Sequence, residues 1–137
     1  MNAVKITIEH DGTTYYGTVM RIKKTTLGVE DHGVFTAHLH CEGNGSGVGL
    51  GGYSLDSWSE EDKRRIGTAY GLDHIKAILS TVGVDRWEAL PGINLIVLNE
   101  SEHPLGTTPV GFADITGERV LIFKDHAEAW KQREAAA

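Results

Sequence analysis

A chain of 137 residues has room for one core and no more. Its 13 Lys and Arg against 19 Asp and Glu leave a formal net charge of −6, with 40% hydrophobic and 23% charged residues. That balance excludes wholesale disorder and fibrous repeats. It also argues against nucleic acid as a partner, because neutralising phosphates needs clustered Lys or Arg.

Cys41 is the single cysteine, so no intramolecular disulfide can form, and a reducing cytoplasm is the expected compartment. The opening residues alternate polar and apolar where a signal peptide would carry an apolar run. No stretch approaches the ~18 apolar residues of a membrane span. A cytoplasmic protein without a membrane partner is therefore expected.

Val4, Ile6 and Ile8 alternate with Lys5, Thr7 and Glu9, and Asp11-Gly12 supplies a turn before a second β-rich run from Tyr15-Tyr16 through Ile22. Gly28 and Gly33 bracket an acidic connection holding Glu30, Asp31 and His32, and Phe35 to Cys41 reads as a third strand. Six glycines between Gly43 and Tyr53 predict a hairpin tip running into a glycine-laden fourth strand. From Asp56 to Arg65 acidic residues precede basic ones, the charge order of a short helix.

Leu72, Ile75, Ile78, Leu79 and Val82 form the apolar stripe of a central helix that Gly83 would stop. Asp85 and Glu88 have capping-box spacing over a short turn with Trp87. Ile93 to Leu98, Val110 to Ile115 and Val120 to Phe123 predict three more strands, and a last helix is expected from Asp125, with Glu128 three residues on. The sum is one α+β domain: a mostly antiparallel sheet with two main helices packed on it. A β-rich half with the glycine-rich hairpin occupies 1–56, and a helix-strand-helix half occupies 57–137.

His38 and His40 are two apart on a predicted strand, so both rings leave one face, as two metal ligands would. Pro109-Val110-Gly111 adds a faint likeness to a metal cupin, but Asp114 stands where a histidine is needed and Glu42 comes too soon. Ordinary half-exposed strand residues are the better account, and no metal or other cofactor is expected. Gly47-x-Gly49-x-x-Gly52 matches a dinucleotide-binding pattern, yet strand-like Tyr53-Ser54-Leu55 follows where a helix should start. Cys41 or a serine with His32 and Asp31 could be drawn as a triad, but neighbours in sequence rarely orient one another as a base and its partner must. No catalytic residue is assigned.

Glycines at alternate positions instead remove the side chains from one face of a β segment, so that a ligand, a partner or a packed element can approach the backbone. The candidate ligand-binding residues are Gly45, Gly47, Gly49, Gly51 and Tyr53, with Lys24, Arg64 and Arg65 supplying charge for an anion.

Leu27-Gly28-Val29-Glu30-Asp31-His32-Gly33, the glycine run at 45–53, Gly67-Thr68-Ala69-Tyr70-Gly71 and Val82-Gly83-Val84-Asp85-Arg86-Trp87-Glu88 together give the chain its most specific signature. Over about Tyr15 to Phe123 it resembles short proteins of unassigned function from bacteriophage genomes. The resemblance implies a viral origin, the host cytoplasm as location, and an accessory role such as countering host defence. It implies no site residues.

The leading expectation is a non-enzymatic protein that sequesters a small anionic host ligand, a nucleotide signal being one form. The first alternative blocks a host protein through its acidic 56–62 stretch or a sheet edge. The second is a metal-dependent enzyme using His38 and His40. A homodimer is the default assembly.

Overall fold

The computed structural model describes residues 6–43, 45–103 and 108–136. Val4 and Lys5 of the predicted first strand lie outside the described residues. The fold is α+β, and every strand pair described is antiparallel.

Strands β1 (Ile6–His10) and β2 (Thr13–Val29) form the expected hairpin about Asp11-Gly12, both at positive φ. β2 then continues well beyond the hairpin as the spine of the sheet. β3 (Phe35–Gly43) and β4 (Ser46–Gly51) follow on one side. The other side is built by β7 (Asn94–Asn99), β8 (Gly111–Asp114) and β9 (Val120–Ile122). The order is β4-β3-β2-β7-β8-β9, with β1 as a seventh strand on β2. Arg21 pairs with Glu42 on one edge of β2 and Asn94 on the other, so the two halves of the chain share one sheet. A register shift between Ile22 and Lys24 lets Lys23 bulge, and beyond it Lys24 faces His40.

The segment expected to be a short helix is a separate hairpin, β5 (Asp56–Ser59) with β6 (Arg64–Gly67). Its charge order suits a helix, but Ser59 accepts the Asp62 N–H at 3.0 Å and closes the turn, with Lys63 at φ 53. Arg65 Nη2 donates to Asp56 Oδ1 at 2.8 Å across the hairpin. The same carboxylate accepts the Phe35 N–H and so ties the hairpin to the start of β3.

Helix α1 (Ala69–Val82) begins three residues before the predicted stripe, because Thr68 caps it by accepting the Gly71 N–H at 2.9 Å. A Cβ on Gly71 would stand 1.9 Å from the Leu55 carbonyl oxygen, so only glycine lets the first turn lie against the chain there. Gly83 ends α1 in the left-handed conformation as expected. The buried face differs from the predicted stripe: Gly71, His74, Ile78, Thr81 and Val82 are buried, and Leu72 is 64% exposed.

A one-turn 3-10 helix at Trp87–Ala89 is flanked by Arg86 without a side-chain cap, so Asp85 and Glu88 make no capping box there. Helix α2 (Phe123–Ala136) starts at Phe123 directly from β9, two residues before the expected start.

Ile22, Leu39, Leu95, Val97 and Phe112 from the sheet and Ile78 from α1 form the main core, which Phe123 joins. A second cluster, Tyr15, Ile96, Leu98, Ala113 and Ile122, sits on the other face, over β1, β2 and β7–β9. Gly17 is required within it: a Cβ would lie 2.5 Å from the Ile96 side chain. Over β3 and β4 the same face leaves His38, His40 and Glu42 partly exposed.

Candidate functional site

Strand alternation on β3 sends Ala37, Leu39 and Cys41 into the core and leaves His38, His40 and Glu42 on the opposite face. The β3–β4 register places Gly47 across from Glu42, Gly49 across from His40, and Gly51 across from His38. The three β4 positions that would cover the two imidazoles and the carboxylate therefore carry no side chain. Val48 and Leu50, at the alternate positions, pack toward the core. Of the five alternating glycines, Gly43 and Gly45 serve the hairpin instead, with Gly43 paired to Ser46 and Gly45 at φ 74.

Not all of the bareness is required by the fold. A Cβ on Gly51 would stand 2.2 Å from the Ala37 carbonyl oxygen, and its φ is 108°. A Cβ on Gly49 would meet nothing within 4 Å. The result is a shallow depression of about 660 Å³ lined by Lys23, His40, Glu42, Gly47 and Gly49.

The polar groups of this face are partly engaged. The His38 and His40 rings stack at 5.9 Å between centroids. Thr26 Oγ1 is 3.0 Å from His40 Nε2, and Glu30 Oε1 is 3.6 Å from His38 Nε2. Glu42 lies 3.8 Å from Arg21 and 3.9 Å from Lys23. Partial burial, then the charges of Lys24 and His38, hold His40 below the ordinary imidazole range. His40 is thus a neutral ring at neutral pH, with the Lys24 ammonium beside it.

The structure brings Lys24 and Gly47, Gly49 and Gly51 onto this face, keeps Gly45 at its edge in the hairpin turn that lines the depression, and places Tyr53, Arg64 and Arg65 elsewhere. Tyr53 follows Gly51 and Gly52, both at positive φ, and turns to the core side, where its ring meets His74 and Phe123. Arg65 is held by Asp56, whose carboxyl the guanidinium keeps below the usual range. Arg64 is exposed on the same hairpin.

His38 and His40 share a face as expected of strand neighbours, but among the described residues no group of three or more His, Cys, Asp or Glu could hold a metal ion. Cys41 is buried in the core, and burial pushes its thiol up to about 12. His32 stands exposed at φ 66 in the turn before β3 while Cys41 is buried in the core, so the two do not form a pair.

One cluster has no signal in the sequence. Asp73 Oδ2 accepts from Trp130 Nε1 at 2.9 Å and lies 3.0 Å from His126 Nε2, joining α1 to α2. Those two contacts hold the Asp73 carboxyl below its usual range. Beside them His74, fully buried, is ringed by Tyr53, Tyr70, Phe123 and His126 at 5.5–6.0 Å between centroids. Residues 53 and 57 positions apart meet here, and no local pattern announces such a meeting.

No helix among the described residues is long and apolar enough to cross a membrane. Compared with protein-family models, curated proteins and solved structures, the chain matches none of them.

Proposed function

We propose that the protein is a non-enzymatic binder that captures a small anionic ligand with a planar part on the bared face of β3 and β4. The observation that carries this reading is Gly49: it lies opposite His40, it has open space above it, and no packing among the described residues requires a glycine there. Lys24, beside His40, supplies a cation for the anionic group, and the stacked imidazoles offer a flat surface to a ring. In the viral setting that the resemblance implies, capture of a nucleotide signal would serve as sequestration against host defence. Native mass spectrometry of protein purified from bacterial lysate tests this. A discrete added mass in the nucleotide range that is lost in Gly49→Val supports the reading, and bare protein from every lysate counts against it.

The blocking alternative is favoured by one observation. Trp58 is 53% exposed on the β5–β6 hairpin, next to Glu60, Glu61 and Asp62. An exposed Trp beside carboxylates is suited to anchoring on a basic partner surface. Capture of a host protein that Trp58→Ala abolishes, with no small-molecule adduct on the wild type, would favour blocking over sequestration.

A further inference from the structure

Buried polar atoms in folded proteins nearly always find partners. Five buried side-chain atoms among the described residues have none: Thr36 Oγ1, Tyr70 Oη, His74 Nδ1, His74 Nε2 and His126 Nδ1. Four of the five belong to the cluster between α1 and α2. Their concentration there points to hydrogen-bonding capacity that the chain itself does not use.

The cluster adjoins a cleft of about 430 Å³ lined by Tyr53, Ser57, Thr68, Tyr70, Trp130 and Glu134. Tyr53 and Tyr70 are shared, since each lines the cleft and each packs on His74. The polarity of the inner wall follows from the contacts beneath it. His126 Nε2 is taken by Asp73 at 3.0 Å, so the ring nitrogen it leaves unpaired is Nδ1. Tyr70 Oη is a hydroxyl that both donates and accepts, and neutral His74 supplies one donor and one acceptor. At the mouth, Ser57 and Glu134 suit sugar hydroxyls, and because Lys131 stands with Glu134 and Asp56 is already paired with Arg65, the mouth carries no surplus cation for a phosphate among the described residues.

We propose that this cleft binds an uncharged planar heteroaromatic ring of nucleoside type. The ring inserts among Tyr53, Tyr70 and Trp130 and shifts the Tyr70 ring, whose buried, unpaired hydroxyl then meets a ligand heteroatom, while His74 and His126, packed on Tyr70 behind the wall, report the movement. Aromatic walls reward stacking, and a buried polar group left unpaired in the free protein gains a full hydrogen bond when the ligand arrives. This site is independent of the glycine face, where the required feature is an anion.

Adenosine is the probe, with adenosine monophosphate as the charged comparison. Binding is read from the imidazole proton resonances of His74 and His126. The expected result is a saturable shift of both with millimolar adenosine, and weaker binding of the monophosphate. Tyr70→Phe removes only the hydroxyl. It should weaken adenosine by about three- to tenfold, the worth of one neutral hydrogen bond, and leave the thermal midpoint unchanged or higher. Gly49→Val, on the other face of the sheet, should keep adenosine binding intact, so failure of the anion site and failure of this one are read separately. Absence of any shift in the wild type overturns the proposal. So does unchanged affinity in Tyr70→Phe, and so does a midpoint lowered by several degrees in that variant, which would mean that the hydroxyl serves the fold.

Discussion

Gly49 faces His40 directly across the β3–β4 ladder, and the space a side chain would occupy there is open. Two strands away, Gly17 faces Leu98 in the same sheet, but its missing side chain is filled by Ile96 and Ile6. The contrast separates a glycine kept for packing from one whose absent side chain exposes a surface.

Substitutions along β4 should divide accordingly. Gly49→Val adds a β-branched residue to a strand without a clash, so the unfolding midpoint should hold or rise while anion capture is lost. Gly51→Ala meets the Ala37 carbonyl in a left-handed conformation and should cost about 1–3 kcal/mol in urea unfolding.

Charge reversal tests which cations serve the ligand. Lys24→Glu should abolish capture of an anionic ligand and Arg64→Ala should leave it unchanged, because Lys24 flanks His40 and Arg64 stands exposed on the β5–β6 hairpin. Equal losses in the two variants, measured by native mass spectrometry, would count against the β3–β4 face.

Acid should weaken the fold before the carboxylates titrate. Burial, with the nearby His126, lowers His74 to about 4, whereas the unfolded histidine takes up a proton near its usual 6.5. As pH falls from about 6.5 to about 4 the unfolded state binds a proton that the folded state refuses, so stability drops by on the order of 3 kcal/mol across that window. Asp73, held low by Trp130 and His126, adds a further loss below its ordinary carboxylate range. His74→Phe should flatten the upper window in chemical denaturation and leave the lower loss in place.

Arg119 is predicted to brace α1 against the sheet. Its Nε donates to the Thr81 carbonyl at 3.1 Å, and its Nη2 lies 3.2 Å from the buried Asp114 carboxylate. Because the guanidinium is about half exposed and the Asp114 carboxylate keeps Thr116 and backbone donors, Arg119→Ala should cost only about 1–2 kcal/mol. Hydrogen exchange should show the loss first as fraying of the last turn of α1.

The sequence by itself determined the α+β class, the β1–β2 hairpin, the strand pattern of β3 and β7–β9, and the stop of α1 at Gly83. Alternation of apolar residues, Asp-Gly turns and a left-handed glycine cap act over a few residues, so they can be read from the chain alone. The tertiary structure alone decided the rest. Residues 56–67 became a hairpin because Asp56 finds both Arg65 and the distant Phe35 N–H, and His74 went inward because Tyr53, Tyr70 and Phe123 surround it. Tyr53 left the glycine face at two positive-φ glycines, a change of direction that residue type permits without dictating. Whether a glycine is bare for packing or for a ligand depends on what lies across the ladder, and that is fixed only once the strands have paired.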